Sequence, residues 1–507
     1  VRTKQAQVFQ YSITQQGNEA YDKYGDVSSQ TNSYRSVSTY QYMYGKMYVD
    51  WERQFGMHGV KASLWGDTRT ILNNYDLPMI PSNIGQKVEY NYDNKYFAQA
   101  AVTESYYNRY DNGRRWGTFW AVSGGWRISN EAFLHDVSFL DDLKVRVGYG
   151  VTGNNNFSAG ASTAMYSSNS MWPYNGTWIT SYGPARNVNN DLHWEKKAEL
   201  NIGLDYAFLN NRLFGKFDIY KRRVSGMLYN ISVPNPPAVY EKTTMNYGNL
   251  ENTGWEFEIG GVPVKTKDFN WTTTMRLSHS SSKITSLWGN NTYQDRVGFP
   301  SPGTNGSAGR IEAGTKIGSY YIWKYAGITD NGRWLLYDKN DNVILSDKKT
   351  YDDKRYIGNA IPALMVSWDH TFTYKNLSLG INLRSWIDFD VFNTINMYYG
   401  LAGQNVLRNA YIDNRHIKEV KQLCDYWLED GTFLKIDAIS LGYSLNMKKW
   451  QKYIDKIDLY LTVRNVACFT KYSGLNPEVN GLDPGYEWFN NIYPETRRYT
   501  VGMKIQF

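Results

Sequence analysis

The sequence predicts an all-β protein, a transmembrane antiparallel β-barrel. Three observations favour this class. Aromatic residues make up 16% of the 507-residue chain, which contains 43 Tyr, 20 Phe, 18 Trp and 43 Gly. Many segments alternate apolar and polar residues with a period of two, and the connections between them fall into two length classes. No apolar run is long enough to cross a bilayer as a helix.

The alternation runs along whole segments, including 143–151, 377–383 and 457–463. Successive side chains of a strand point to opposite faces of a sheet, so each segment has one apolar and one polar face. The last residues of the chain show the same pattern. Their apolar positions are Tyr499, Val501, Met503, Ile505 and Phe507.

About sixteen segments are long enough for the ~9–11 residues with which a tilted strand crosses a membrane. They are 1–16, 36–55, 60–73, 82–92, 95–109, 117–129, 141–152, 195–209, 212–226, 244–264, 268–286, 361–374, 377–393, 432–445, 456–471 and 495–507. Short polar turns join many of them in pairs, at 56–59, 93–94, 210–211, 266–268 and 375–376.

Long connections rich in Gly, Asn and aromatic residues separate these pairs. The longest are 153–193, 287–360, 394–431 and 472–494. Short turns at one end and long loops at the other are typical of outer-membrane barrels, in which the long loops are extracellular. A small hairpin is predicted at 334–345, inside the second of these loops.

Other classes of protein fit the sequence less well. The net charge of +7 comes from 55 basic and 48 acidic residues without a basic block, which excludes a nucleic-acid footprint. Six scattered His and two Cys indicate no metal centre, and no acid–base pair indicates an enzyme or a cofactor site. Residues 338–342 begin like a calcium loop, but Val343 and Lys349 stand where Gly and Glu are required. A polar hairpin turn is therefore expected there.

Several strings resemble the SusC/RagA family of TonB-dependent outer-membrane transporters. They are GGWRISNEAF at 124–133, LKVRVGYGVTGN at 143–154, DLHWEK at 191–196 with NIGLD at 201–205, NLENTGWE at 249–256, NPE at 476–478 and YPETRRYTVG at 493–502. The strings occur in the family's order over most of the chain. Segments 104–107 and 118–120 depart from the family pattern near an external rim, which leaves ligand preference open.

The resemblance implies a twenty-two-stranded barrel with a plugged lumen in the outer membrane of a Gram-negative bacterium of the Bacteroidetes. The chain has fewer predicted strands, and no plug, TonB box or signal peptide is recognised. We therefore expect residues 1–507 to be the C-terminal barrel part of a longer protein.

The resemblance also implies nutrient import. Family members take up oligosaccharides with energy relayed through TonB, and a SusD-like surface lipoprotein closes over the barrel. Dimers of such pairs, in contact with outer-membrane lipid, are expected. Two alternatives stay open: import of peptides, and a SusC-like structural subunit of a larger outer-membrane assembly.

Aromatic residues of the predicted loops are candidates for substrate binding, because aromatic faces stack on sugar rings. They are Trp172, Tyr174, Trp178, Tyr398, Tyr399, Trp427 and Trp488. Packing within the loops, a membrane aromatic girdle and contact with the lipoprotein are alternative roles. A second candidate set, near an external strand end and facing the lumen, is Arg384, Asp388 and Asp390. The alternating apolar residues from Tyr499 to Phe507 resemble the C-terminal signal by which barrels are recognised for assembly.

Overall fold

The computed structural model describes residues 10–13, 21–24, 40–73, 76–134, 136–157, 161–289, 292–295, 307–401, 412–447, 453–479 and 494–507. β-Strands dominate these residues. In chain order they begin with β1 (Gln10–Ile13), β2 (Tyr21–Tyr24), β3 (Tyr40–Phe55), β4 (His58–Asn73), β5 (Asp76–Met79), β6 (Pro81–Tyr92), β7 (Tyr96–Tyr107), β8 (Trp116–Arg127), β9 (Leu140–Asn154), β10 (Tyr166–Tyr174), β11 (Thr177–Pro184), β12 (Glu195–Phe208), β13 (Leu213–Ser232), β14 (Lys242–Lys265) and β15 (Phe269–Leu287). The remaining strands are β16 (Tyr293–Asp295), β17 (Arg310–Glu312), β18 (Ser319–Trp323), β19 (Tyr325–Ile328), β20 (Trp334–Tyr337), β21 (Val343–Leu345), β22 (Lys354–Asn359), β23 (Leu364–Tyr374), β24 (Leu377–Ile387), β25 (Asp390–Phe392), β26 (Leu428–Asp430), β27 (Phe433–Asn446), β28 (Lys456–Thr470) and β29 (Arg498–Gln506).

Helical structure is limited to short segments. One α-helix, α1, covers Thr394–Tyr399, and 3-10 turns cover Ile128–Asn130, Ala132–Leu134, Ser346–Lys348, Tyr351–Asp353, Ile412–Asn414 and Asp425–Trp427. Within the described parts of the chain, no helix has the length and apolarity needed to cross a membrane.

One antiparallel sheet of sixteen strands forms the body of the protein. Its continuous order is β3-β4-β6-β7-β8-β9-β12-β13-β14-β15-β23-β24-β27-β28-β29, and β5 pairs beside β4. Neighbours in the sheet are therefore neighbours along the chain, apart from the small strands of the loops. This up-and-down order is the connectivity of membrane barrels, and the predicted all-β class is confirmed.

Short turns lie at one end of the sheet, which we call the short-turn end. One of the tightest joins Phe55 to His58, which are paired directly, through Gly56 at a φ of +61° and Met57. A left-handed φ of this kind suits Gly because it has no Cβ. At the opposite, long-loop end the connections include 155–194, 288–363, 388–432 and 471–497.

The apolar positions of successive strands form continuous rows across one face of the sheet. In one row Val147 pairs with Ile202, Ile202 with Ile219, and Ile219 with Trp255. Val147, Ile202 and Ile219 are each more than two-fifths exposed. A face of exposed aliphatic and aromatic side chains fits contact with lipid, as the alternation in the sequence predicts.

The opposite face is polar and carries ion pairs between strands. Arg146 donates from Nε to Asp205 at 2.7 Å and from Nη2 to Asp218 at 3.2 Å, so it links β9, β12 and β13. Gly203 lies between them, and a Cβ there would come within 2.6 Å of the guanidinium carbon. Gly203 therefore provides the space for this bridge. Arg276 forms a similar bridge between Glu258 and Asp369.

The two longest connections pack together at the long-loop end and form a common apolar core, which we call the loop core. Connection 288–363 contributes the small sheets β18–β22 and β19–β20–β21, and connection 388–432 contributes β25–β26 and α1. The buried members of the loop core are Ala308, Tyr320, Ile322, Trp323, Trp334, Leu336, Ala360, Phe392, Met397, Tyr398, Leu401, Ile417, Leu423, Cys424 and Trp427.

The predicted hairpin at 334–345 is present as β20 and β21. Asp338 accepts hydrogen bonds from the N–H groups of Asn340 and Asn342, both at 2.8 Å, and so closes the turn itself. This is the polar turn that the sequence predicts in place of a calcium loop.

Two predicted strands differ from the structure. The segment 377–393 leaves the main sheet at Ile387, because Asp388 adopts a φ of +58° and the chain continues as β25 in a separate sheet. Of the segment 1–16, only Gln10–Ile13 is described, and it pairs with Tyr21–Tyr24 in a separate two-stranded sheet.

Candidate functional site

A cavity of about 1010 Å³ lies between the polar face of the sheet and the loops that cover it. The sheet contributes residues of β13, β14, β15, β23 and β24, and the loops contribute residues 310–319, 360–362 and 479. The aliphatic and aromatic part of the lining is Met227, Leu228, Tyr229, Leu250, Ile284, Ile311, Ile317, Ala360, Ile361, Pro362, Met365, Trp386 and Val479. A cavity of this size at the covered mouth of a barrel can hold a short oligomer.

Asn252 is the central polar group of the cavity. Its amide Nδ2 donates to the hydroxyls of Ser280 at 2.8 Å and Ser282 at 2.6 Å. Its Oδ1 is buried and has no hydrogen-bond partner among the described residues. Because a buried acceptor without a donor is costly, Oδ1 would gain a hydrogen bond if a small movement of the side chain exposed it to a hydroxyl or N–H group of a ligand.

A smaller cavity of about 300 Å³ shares Ser280 and Ser282 with the first, and Asp388 and Asp390 line it. Asp390 accepts the backbone N–H of Asn359 at 2.9 Å. Burial raises the pKa of the Asp390 carboxyl above its usual value. Asp388 and Asp390 thus lie just beyond the last residue of β24, Ile387, at the long-loop end, and their role in binding stays a prediction.

Arg384, the third member of that predicted set, does not line either cavity. Its guanidinium donates to Asp437 at 2.8 Å and pairs with Glu478 of connection 471–497. Lys435 also pairs with Glu478, at 3.4 Å, and with Glu495 at 2.5 Å. The group therefore holds a loop against the wall of the barrel, and its charges are satisfied within the protein.

Replacement of Arg384 by Met is expected to release segment 471–479 from the wall. The change leaves the three carboxylates of Asp437, Glu478 and Glu495 with one cation, Lys435. Truncation of one partner of such a pair costs about 2 kcal/mol or more. Hydrogen exchange of residues 471–479 would measure the release. Arg114→Met is the matched control, because the Arg114–Asp191 pair is largely exposed and should contribute almost nothing. Unchanged exchange in Arg384→Met would contradict this role.

Trp172, Tyr174 and Trp178 lie on the hairpin β10–β11, which forms its own two-stranded sheet in connection 155–194. Their side chains are 62%, 61% and 63% exposed. Trp172 and Tyr174 are on one face of the hairpin, and Trp178 is on the other because it pairs with Pro173. The hairpin therefore presents aromatic rings on both faces, and their role in binding stays a prediction.

Tyr398 and Trp427 are buried in the loop core, so the structure corrects their assignment as ligand contacts. Trp427 is completely buried, and its ring centroid lies 5.7 Å from that of Trp334 and 4.7 Å from that of Tyr426. A ring without an exposed face cannot stack on a sugar, and packing within the loops is the role that the geometry supports. The side chain of Tyr399 and the whole of Trp488 lie outside the described residues.

A group of cations and aromatic rings beside the larger cavity was not predicted. Arg310 lines the cavity, donates to Asp295 at 2.7 Å and lies 3.9 Å from the ring centroid of Tyr321. Lys354 is buried below Trp323, with Nζ 4.5 Å from the ring centroid. Burial lowers the pKa of Lys354 to about 8. In the sequence, Arg310 and Lys354 are isolated charges without a pattern. They lie close to each other and to the aromatic rings only in the tertiary structure.

The sequence analysis also did not identify the polar residues of the cavity, Asn252, Ser280 and Ser282. The run of serines at 280–282 on a predicted strand was the available signal, since alternate serines face the lumen while the residue between them faces outward. Among the described residues, no group of His, Cys, Asp or Glu side chains could hold a metal ion.

Known proteins with similar sequences are outer-membrane receptors. The TonB-dependent receptor SusC of Bacteroides thetaiotaomicron is 30% identical over 439 residues, which is 83% of this chain and 43% of that protein. The TonB-dependent receptor P39 of Formosa agariphila is 25% identical over 496 residues, 84% of this chain and 46% of that protein. The chain thus spans less than half the length of these curated relatives. No family model matches it.

Solved structures agree with the fold. The structure of the RagAB peptide transporter matches with a TM-score of 0.80 at 20% identity, covering 92% of this chain and 56% of that chain. The RagAB peptide importer in its 'open-open' state matches with a TM-score of 0.78. The sheet with one apolar face, its loop-covered mouth and these similarities define the class: an outer-membrane β-barrel of the TonB-dependent receptor type. Within that class, the chain resembles the SusC/RagA family, since it is similar to SusC in sequence and to RagAB in fold.

Proposed function

We propose that the chain forms the barrel of an importer that takes up oligosaccharides across the outer membrane. The observation that carries this proposal is the cavity at the covered mouth of the barrel, with the free acceptor of Asn252 inside it. Import would use energy transmitted by TonB and a SusD-like lipoprotein as the external lid, as the family resemblance implies. The two connections that share the loop core would provide the surface that contacts such a lid.

The hairpin β10–β11 supports a carbohydrate as the cargo. Trp172 and Tyr174 expose adjacent rings on one face, and an exposed ring can cover the apolar face of a sugar while hydroxyl groups bind neighbouring polar atoms. We propose that this hairpin makes the first contact with the oligosaccharide and that the cavity receives it afterwards.

Peptide import is the second candidate, and the lining of the larger cavity favours it. Leu250, Ile284 and Met365 offer aliphatic surface that would bury apolar side chains more readily than sugar hydroxyls. Asn252 Oδ1 would then accept a backbone N–H of the peptide. The oligosaccharide candidate therefore depends on the exposed hairpin for substrate binding, and the peptide candidate depends on the apolar cavity.

The double variant Trp172→Ala, Tyr174→Ala tests the proposal. Loss of two stacking contacts worth about 1 kcal/mol each is expected to weaken oligosaccharide binding by tenfold or more. The measurement is calorimetry on the full-length receptor with its lipoprotein, purified from the native outer membrane, with the retained ligand identified by mass spectrometry. Trp172→Phe, Tyr174→Phe is the control and should retain binding.

Two outcomes would reject the oligosaccharide assignment. A purified complex that retains peptides and binds them independently of the hairpin would favour the peptide importer. Recovery of a stoichiometric set of assembly or secretion proteins without any ligand would favour a structural subunit and contradict import itself.

A further inference from the structure

The lipid-facing side of the sheet changes from apolar to basic near the long-loop end of four adjacent strands, β12 to β15. Ile219 of β13 and Trp255 of β14 are paired in the last apolar row. The next residues of β13 on that face are Lys221 and then Arg223, and Arg223 is paired with Glu251 of β14. Basic side chains therefore follow directly on the apolar belt.

The row of Arg223 continues across two more chain segments. Glu251 is paired with Lys283 of β15, and Lys283 forms an antiparallel bridge with Lys316 of connection 288–363. Residues paired in this way point their side chains to the same face. Lys196 of β12 lies on the same face, one row further out. We call this set the basic patch; its members are Lys196, Lys221, Arg223, Lys283 and Lys316, the last of which also borders the larger cavity.

The basic patch has a strong excess of positive charge. Its members are exposed, and the side chains of Arg223 and Lys221 are 71% and 48% accessible. Glu251 is the carboxylate within these rows, and it pairs with Lys221 at 3.1 Å and with Arg223 at 3.3 Å. One carboxylate cannot neutralise five cations, so the patch attracts further anions.

Strand lengths place the basic patch at the level of lipid headgroups. A tilted strand crosses the hydrocarbon layer in about 9–11 residues. Counted from its first residue Leu213 at the short-turn end, β13 reaches Lys221 as its ninth residue and Arg223 as its eleventh. The first cation on the lipid-facing side of β13, Lys221, thus lies where the hydrocarbon layer ends.

The sector formed by β24, β27 and β28 lacks this feature at the same level. On β24, β27 and β28 the lipid-facing residues near the long-loop end include Ile387, Leu434 and Phe469, which are exposed and apolar. The basic side chains of β12 to β15 therefore have no counterpart on the lipid-facing side of these three strands.

We propose that the basic patch is a binding site for the phosphate groups of anionic lipid in the outer leaflet. Arg and Lys bind phosphate oxygens through charge-assisted hydrogen bonds, and clusters of basic residues next to a membrane select anionic headgroups. Acyl chains of a lipid bound there would lie on the row of Ile202, Ile219 and Trp255. The site would thus bind a whole lipid, with its headgroup on the patch and its chains on the belt.

The test uses the full-length receptor in a neutral detergent, with native mass spectrometry to measure binding of lipid A. Three probes are compared: lipid A with both phosphates, the same lipid without phosphates, and inorganic phosphate. The triple variant Lys221→Gln, Arg223→Gln, Lys283→Gln is expected to bind phosphorylated lipid A about 100-fold more weakly, since one basic residue beside an anionic surface contributes about fivefold. The intact receptor should prefer the phosphorylated lipid to both other probes.

The control is Lys265→Gln, Lys267→Gln, Lys375→Gln, which removes the same charge from exposed positions at the short-turn end. It should bind lipid A normally. Equal binding of the phosphate-free lipid, or an equal loss in the control, would overturn the proposal. Binding of inorganic phosphate as tight as that of lipid A would indicate a site for soluble anions instead. If the triple variant fails to assemble, the single variant Arg223→Gln must still lose about fivefold in affinity.

Discussion

Deletion of residues 501–507 is expected to abolish accumulation of the receptor in the outer membrane. These residues form most of β29, which is paired with β28 from Arg464 opposite Arg498 to Lys456 opposite Gln506. Without them, the backbone N–H and C=O groups of β28 lose their partners in the hydrocarbon layer, where each unsatisfied group costs several kcal/mol. The deletion also removes Val501 and Phe507, which are 81% and 90% exposed on the apolar face.

Surface labelling of cells that express the full-length receptor would measure this effect. Lys504→Gln is the control, because Lys504 is one of the polar residues that alternate with the apolar residues of β29. Its replacement leaves the apolar positions and the strand pairing intact. The control should reach normal levels. Normal surface levels of the deletion variant would contradict the assembly role of the terminal strand.

Replacement of Trp427 by Ala is expected to unfold the loop core while the barrel remains assembled. The indole is completely buried, and its Nε1 donates to the carbonyl of Gln422 at 2.8 Å. Removal of a large buried aromatic ring costs about 3–5 kcal/mol. A small core of loops has little stability in reserve, so connections 288–363 and 388–432 should open together.

Limited proteolysis of the purified receptor would detect the opening as new cleavage within these two connections. Trp172→Ala is the matched control, since the same residue type is removed from an exposed hairpin, and its effect on stability should be about 0.5 kcal/mol or less. Cleavage of only one connection, or none, would show that the loops do not share a cooperative core.

The body of the fold could be predicted from sequence because each strand carries its own signal. Alternation defines which residues of 143–151 or 457–463 face lipid, and turns such as that at 375–376 define where the chain reverses. The end of β24 could not be predicted, because Asp388 leaves the sheet through a local backbone conformation that the apolar residues following it do not reveal.

The candidate site was only partly predictable, for a physical reason. The residues of a loop have no periodicity that separates buried from exposed positions, so Trp172 and Trp427 are indistinguishable in sequence although one is exposed and the other buried. Asp388 and Asp390 were predicted as candidates inside a strand expected to end at residue 393, whereas the structure places them beyond the end of β24 at Ile387. Asn252 and Arg310 line the same cavity only because the loops pack against the polar face of the sheet.

The shared core of the two long connections has a consequence for how such receptors diversify. Arg333 and Glu419 are paired at 2.8 Å, and Tyr325 binds Asp425 through its backbone N–H, so partners in each contact come from different loops. A recombination event that exchanges one loop between paralogues would leave the partners of these contacts in the other loop unpaired. We therefore expect the two loops to be inherited as one unit, with specificity changing through residues at the cavity and the aromatic hairpin.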